Sequence, residues 1–567
     1  MFPVLDKTRK CFSSIAALQA ASSPDKIAYV CVGADGVELS SHTYQDVFDG
    51  VEAIAPGLAH LAGRRVLMLY DSGMPFILAF LACLRIGVVA VPAPLARPGR
   101  PSWDRIVSIA EGAEIAAILT EKAASARLAS WLPTSEAMAS LPLFVTDTIA
   151  PTEPIADRLA DPSDVAFLQY TSGSTGDPKG TIITYGNLAA NAALGHAALG
   201  TCADSRIVCW LPAYHDLGLI GNILNNIYSG ATCILLPPVA IIRNPVLWLK
   251  TIQRYRADLS VAPNFAYGLA ARRVSREQKR DLDLSSWTLA GNTSEPIRAE
   301  TIRRFTEAFR ECSFSATAFR CGYGLAEATL IVSSGEPNTV PRILTVDPQE
   351  LAEGRLRPAA KGSEIVGSGR AVPPQEVTIV DPEHRVALGE GSVGEIWVSG
   401  PCVAAGYLTN NEVSTEIFRS RLADGTGPFL RTGDLGALLD GELFVIGRTK
   451  EVIIIRGRKI FPQDVEYAIQ SSHDALKPDG CAVFGVDDGD SEAVVVVQEI
   501  ERSQLARIDA REIASAIRET VFDAFEIGVN EVVLVKPDSV PKTSSGKIRR
   551  VLCRQLHLSG ELAAFTV

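Results

Sequence analysis

Tyr170-Thr171-Ser172-Gly173-Ser174-Thr175-Gly176-Asp177-Pro178-Lys179-Gly180 is the stretch around which the rest of the chain can be arranged. Within eleven positions it sets four Ser/Thr hydroxyls, three glycines that let backbone N–H groups approach an anion closely, and one lysine that neutralises charge. That combination suits a polyphosphate. The spacing is not that of a Walker loop, because Lys179 follows Asp177-Pro178 instead of the last glycine and has no Ser or Thr behind it. A P-loop NTPase is therefore disfavoured. The apolar run 165–170 before the loop predicts a strand, which puts the loop at a carboxyl edge, where open α/β sheets place ligands. A Ser/Gly-rich turn without a ligand is the plain alternative.

Outward from the loop, residues 26–195 alternate short β-rich runs (27–32, 65–69, 88–91, 115–119, 143–145, 165–169) with alanine-rich helical stretches. This predicts a doubly wound, mainly parallel α/β layer containing all of those strands. Residues 206–335 repeat the style, with strands expected at 207–210, 232–236 and 259–262, so a second α/β layer follows. After Gly367 come short strands and turns (376–380, 394–399, 441–446), as in a small β subdomain. A compact α+β unit begins at Arg448, with strands expected at 452–455, 482–486, 493–497 and 532–535 and helices at 463–470 and 510–524. The expected division is a domain of residues 1–447 and a domain of residues 448–567, with the boundary at 447–451.

Composition narrows the class. At 567 residues, 47% hydrophobic and 21% charged, the chain has the length for more than one domain and the make-up of a globular enzyme. A net charge of -11 without a basic tract argues against a nucleic-acid binder. Eleven cysteines lie singly, without Cys-x-x-Cys spacing, which points to a reducing compartment and to buried thiols, not to disulfides or zinc. The N-terminal apolar run is short and flanked by Asp6 and Asp25, so no secretory signal is expected and the chain reads as cytoplasmic. The most hydrophobic window, 74–96, contains Arg85 and is broken by Gly87, Pro92 and Pro94. It predicts a buried helix and strand, not a membrane span.

Further motifs add chemistry. In Gly322-Tyr-Gly-Leu-Ala-Glu-Ala-Thr329, Tyr323 can stack on a purine and Glu327 can hold Mg²⁺ against phosphates. In Arg431-Thr-Gly-Asp-Leu-Gly436, the Asp434 carboxylate can accept both hydrogen bonds of a ribose diol. Lys542-Thr-Ser-Ser-Gly-Lys-Ile-Arg-Arg550 places Lys547 beside a glycine. Taken with Thr171 to Gly180, these motifs resemble the signatures of the adenylate-forming superfamily of acyl-CoA synthetases, adenylation domains and luciferases. Over about residues 10–556 the chain looks like the fatty acyl-AMP ligases, through Phe167-Leu-Gln-Tyr170, Trp210-Leu-Pro-Ala-Tyr-His-Asp-Leu-Gly-Leu219, Tyr323 to Leu330, Ile453-Ile-Ile-Arg-Gly457 and Pro462-Gln-Asp464.

The resemblance implies that a fatty carboxylate attacks the α-phosphorus of ATP, with Mg²⁺ present and pyrophosphate leaving. The acyl-adenylate then passes to the phosphopantetheine thiol of an acyl carrier protein. It assigns Thr171, Ser172, Gly173, Ser174, Thr175, Gly176 and Lys179 to the phosphates, Asn292, Gly322, Tyr323 and Gly324 to the adenine side, and Asp434 and Arg448 to the ribose. Glu327 takes the metal, Lys547 is the catalytic cation on a mobile C-terminal domain, and Lys450 is its hinge. His215 borders the acyl pocket where amino-acid-activating relatives carry an aspartate one position after an aromatic residue, so an acid without an α-amine is expected. In Ala290-Gly-Asn-Thr-Ser-Glu-Pro296, Thr293 and Ser294 replace the usual glycine and alanine, which leaves this turn's adenine contact open. Residues 337–362 stand where fatty acyl-AMP ligases carry an insertion said to limit the swing of the C-terminal domain. They read as a polar surface segment with few buried contacts. Because the chain stops soon after Lys547, the carrier protein is expected to act in trans. A CoA ligase for a fatty or aryl acid, and a non-catalytic ATP-binding module, are the alternatives.

Overall fold

The computed structural model describes residues 11–562 and 565, apart from 100, 151, 152, 154, 157, 173–177, 409, 410, 456, 457, 471, 488–491, 507, 544 and 545. Among the described residues a seven-stranded sheet runs in the order Gly406–Tyr407, Pro178–Thr184, Val165–Ser172, Val89–Pro94, Arg65–Tyr70, Ala117–Thr120, Leu143–Val145. Val165–Ser172 is parallel to Val89–Pro94 and antiparallel to Pro178–Thr184. The phosphate-loop motif therefore joins the two strands of a hairpin. Gly173, Ser174, Thr175, Gly176 and Asp177 themselves lie outside the described residues.

A nine-stranded mixed sheet forms the second layer, centred on Phe319–Gly324, Leu289–Thr293, Leu259–Pro263 and Arg206–Cys209. Ile27–Val32 belongs here and not to the first layer: it pairs in parallel with Thr232–Leu235, with Tyr29 opposite Cys233. Local periodicity gives a strand's type but not its sheet, because an apolar strand suits either one. Long-range hydrogen bonds decide it, with Tyr29 Oη donating to the Ile223 carbonyl at 3.0 Å and Tyr44 Oη to that of Ala231 at 2.7 Å.

The hydrophobic window is a buried helix, Met74–Ile86, ended by Gly87 at φ 77° and followed by the strand Val89–Pro94. Its Arg85 is buried against Glu52, Nε to Oε1 2.8 Å, so the charge that breaks the window is paired. No helix among the described residues is long and apolar enough to cross a membrane. The eleven cysteines are free thiols.

A five-stranded sheet, which includes Glu376–Asp381, Gly394–Ser399, Leu430–Leu439 and Glu442–Arg448, forms the β subdomain. Residues 337–362 depart from expectation. They form the hairpin Ile343–Val346/Ser363–Val366 and the helix Pro348–Ala352. Leu344, Val346, Leu351 and Leu356 are buried in one cluster with Leu435, Ala437, Phe444, Ile446 and Phe461. Apart from the short run Ile343-Leu-Thr-Val346, the apolar residues are dispersed among charges and prolines, so the segment as a whole reads as polar. Only the hairpin puts Leu344 and Val346 on one face, two residues apart.

The C-terminal unit has its own core, with Ile453, Val465, Val483, Val496, Ile517 and Leu534 buried together. The strands Leu476–Asp487, Glu492–Ile500 and Glu531–Val535 carry the helices Pro462–Ile469, Ala510–Phe525 and Arg550–Leu558.

Candidate active site

A cavity of about 1320 Å³ lies between the body and the C-terminal unit. It is lined by Lys179, His215, Tyr323, Glu327, Asp434, Arg448, Lys450 and Lys547, which brings residues from every sequence motif to one place. Asp434 and Arg448 sit opposite each other on paired strands. Arg448 Nε donates to Asp434 Oδ1 at 2.8 Å, and Tyr323 Oη donates to Oδ2 at 2.7 Å. The carboxylate is thus fixed by two donors and keeps lone pairs for a further ligand. Burial, reinforced by the Asp434 charge, pushes the Tyr323 phenol well above its ordinary range, and Asp434 holds the Arg448 guanidinium firmly protonated.

Glu327 is presented by a strained turn. A Cβ on Gly324 would lie 1.8 Å from the Leu330 carbonyl oxygen, so this position requires glycine. Thr329, β-branched, adopts φ 64° and ψ -56°, and the Leu330 N–H closes the three-residue turn on the Ala328 carbonyl at 2.7 Å. Such a γ-turn is rare and costs of order 1–3 kcal/mol unless its surroundings impose it. Here they do: Thr329 Oγ1 donates to the Cys402 carbonyl at 2.7 Å, and the Ala404 N–H to that of Glu327 at 2.9 Å. Glu327 Oε1 accepts from Tyr407 Oη at 2.7 Å, and the Lys179 ammonium stands 5.1 Å over the Tyr407 ring. Tyr407 was not picked out by any motif. It reaches the site because Gly406–Tyr407 pairs with the strand that carries Lys179.

Asn292, between the cavity-lining Gly291 and Thr293, does not itself line the cavity: it is fully buried, its Nδ2 donating to Asn264 Oδ1 at 3.3 Å while its own Oδ1 lacks a partner. The two departures in this turn have visible consequences. Thr293 Oγ1 donates to the Gly322 carbonyl at 2.9 Å, tying the turn to the neighbouring strand, and Ser294 takes φ 74°, a conformation that favours glycine.

Lys547 comes from the C-terminal unit, in a loop fixed by its own backbone: its N–H donates to Thr543 Oγ1 at 3.0 Å, and the Thr543 N–H donates to its carbonyl at 2.7 Å. Burial lowers the Lys547 ammonium below its usual range, Arg448 adds to this, and Asp216, Glu295 and Asp434 oppose it. Asp216, Glu295 and Asp434 belong to the body, and Arg448 stands at the boundary. Burial pushes Glu295 up to about 7, although its Oε1 accepts the Phe265 N–H at 2.5 Å. Burial also opposes ionisation of Asp216, but His215, with Nδ1 2.6 Å from its Oδ1, brings the carboxyl below its usual value. The lining also holds apolar side chains, among them Trp210, Leu211, Leu217, Leu330 and Ile331. Lys450 is exposed in the turn Thr449–Glu451, between Arg448 and the first core residue of the C-terminal unit. Thr171 and Ser172 end the strand Val165–Ser172.

Comparison with known proteins agrees with this architecture. The AMP-binding enzyme family model matches residues 17–408, and the model of the Disco-interacting protein 2-like AMP domain matches residues 450–567. The medium-chain-fatty-acid–[acyl-carrier-protein] ligase JamA of Moorena producens (strain JHB) is 40% identical over 541 residues, 93% of this chain and 91% of its own. A long-chain-fatty-acid–AMP ligase of Mycobacterium marinum is 34% identical, with 98% of each chain covered. Among solved structures, a fatty acyl-adenylate ligase from a study of the Escherichia coli and Legionella pneumophila enzymes superposes with TM-score 0.88 at 31% identity, over 97% of this chain and 98% of that one. The chain belongs to the AMP-binding enzyme family and is a ligase of the fatty acyl-AMP ligase group.

Proposed function

We propose that this chain couples a fatty acid to ATP, releasing pyrophosphate and forming an acyl-adenylate, and then hands the acyl group to the phosphopantetheine thiol of an acyl carrier protein. The observation that carries the reading is the seating of Lys547 in one cavity with the Tyr323–Asp434–Arg448 group, His215 and apolar side chains such as Trp210, Leu217 and Leu330. The substrate is already a nucleophilic anion, so no protein nucleophile is needed. The work is to hold two anions in line and neutralise the charge that develops.

In this reading Asp434 accepts the ribose hydroxyls on its remaining lone pairs. Tyr323 faces the adenine, flanked by Gly322 and Gly324, and the buried Asn292 would support this side through its bond to Asn264. Lys179, with Thr171 to Gly176, holds the outer phosphates, and Arg448 contributes at the ribose–phosphate junction. The fatty chain lies against those apolar side chains and His215, and Lys547 bridges its carboxylate and the α-phosphate. Mg²⁺ fits Glu327, because that ion takes one or two carboxylates together with substrate phosphates. Glu327 is one carboxylate held in place by Tyr407, and a bound Mg²⁺ would screen phosphate charge there. After adenylation the unit from Arg448 onward would turn about Lys450, withdrawing Lys547 and admitting the thiol. The 337–362 segment, packed against Phe461 of that unit, would limit the swing and favour a carrier protein over CoA. We place the enzyme in the cytoplasm.

The test is to incubate the chain with ATP, Mg²⁺ and a panel of fatty and aryl acids, then add CoA or a phosphopantetheinylated carrier protein. Acyl-AMP that moves to the carrier and poorly to CoA supports the reading, whereas abundant acyl-CoA replaces it with a CoA ligase.

A further inference from the structure

Lys547 reaches the cavity only while the C-terminal unit is docked, because the three carboxylates around it, Asp216, Glu295 and Asp434, belong to the body. What keeps the unit docked is a separate matter from the chemistry. Arg298 stands out among the polar contacts across this interface. It projects from the body three residues after Glu295 and reaches the first turn of the helix Pro462–Ile469. Its Nη1 lies 3.0 Å from Asp464 Oδ1, its Nη2 donates to the Gln463 carbonyl at 2.6 Å, and its guanidinium stands 5.0 Å over the Tyr467 ring. The two charged side chains keep 20% and 27% of their exposure, against 40% and 47% for Arg272–Asp479, which also crosses the interface. The planar fork of arginine serves two acceptors and a ring face at once, which lysine could not do.

The root of this side chain is also fixed. The Arg298 N–H donates to Asn264 Oδ1 at 3.1 Å, and that oxygen also accepts from Asn292 on the adenine-side strand. Phe265, the residue after Asn264, donates its N–H to Glu295, the acid beside Lys547. One short stretch of the body therefore shapes the nucleotide wall, supplies a charge neighbour of Lys547 and grips the domain that carries Lys547.

We propose that Arg298, paired with Asp464, is a positioning residue that latches the C-terminal unit in the arrangement that seats Lys547. It acts on acyl-AMP formation and not on the later transfer. The inference rests on the two-step reading above. It touches no reacting atom, so its signature is a split between the half-reactions. Arg298→Ala should slow acyl-AMP formation from decanoic acid and ATP by about tenfold or more, since each tenfold corresponds to a modest shift of the docked population. The rate at which preformed decanoyl-AMP passes to a phosphopantetheinylated acyl carrier protein should stay within about threefold of wild type.

The reversed pair, Arg298→Asp with Asp464→Arg, should regain activity over either single variant, which a merely structural role would not give. Hydrogen exchange along Pro462–Ile469, read without substrate, should rise in Arg298→Ala. That readout tests the latch even if wild type makes no acyl-AMP, an outcome that would overturn the proposed function instead. Equal loss of both half-reactions, an unaltered adenylation rate, a reversed pair no better than the singles, or unchanged exchange would overturn the latch.

Discussion

The C-terminal unit meets the body in two ways, and the contrast is informative. On the catalytic side the contact is polar: Arg298 to Asp464 and Gln463, and, within the unit, Arg550 bridging Glu451 and Glu466 at 2.5 and 2.6 Å beside the Lys547 loop. Beside it the contact is apolar, with Phe461 in one cluster with Leu344, Val346, Leu351 and Leu356. Polar contacts are directional and lose their worth once geometry changes, which suits a contact that must open. Apolar packing tolerates sliding and holds over a range of positions. In the two-step cycle proposed above, a unit held by both kinds of contact would let go of the polar one and stay near through the apolar one.

The largest expected effect breaks the catalytic side alone. Lys547→Ala should lower acyl-AMP formation by about a hundredfold or more while a preformed acyl-AMP still passes to a thiol acceptor. Loss of both steps together would remove the two-position role of this lysine. Its ammonium is held below the usual lysine range by burial, so raising the pH should discharge it and cut adenylation before the ordinary lysine value of 10.5 is reached. Lys547→Arg, which stays charged, should shift that alkaline fall upward in a pH–rate profile.

Next comes the apolar side. Leu356 is 1% exposed, so Leu356→Ala should cost about 2–4 kcal/mol in denaturant titration. Removing 337–362 altogether should be costlier still, since it uncovers Leu435, Phe444 and Phe461. A deletion variant as stable as wild type would show that the cluster is not a structural anchor. A smaller effect is expected at the metal: Glu327→Gln should raise the Mg²⁺ concentration needed for half-maximal rate severalfold, and an unchanged Mg²⁺ dependence would take Glu327 out of the metal's reach. Smallest of all, Arg272→Ala should alter adenylation by less than about twofold, because a half-exposed ion pair is worth little.

Much of this was legible in the sequence where the signal is local. Element types followed from periodicity, and Tyr323, Glu327, Asp434, Arg448 and Lys547, singled out by short motifs and the family resemblance those motifs carry, line one cavity. Non-local facts were not legible. Ile27–Val32 looked like a member of the first layer because nothing in six residues says which sheet accepts them. Residues 337–362 looked polar because their buried leucines are dispersed among charges and gather only in the folded hairpin. Tyr407 and Arg298 carry no spacing signature. Each is a single letter whose role comes from a strand pairing or a domain contact far away along the chain.

The most direct measurement is of the product itself. Wild-type chain is incubated with ATP, Mg²⁺ and fatty acids of graded length, with pyrophosphate release followed and the nucleotide product identified by mass spectrometry. The account predicts pyrophosphate release that depends on the fatty acid, with a matching acyl-AMP, and loss of both in Lys547→Ala. Pyrophosphate release indifferent to the acid, or no acyl-AMP from any fatty acid in the series, would contradict it.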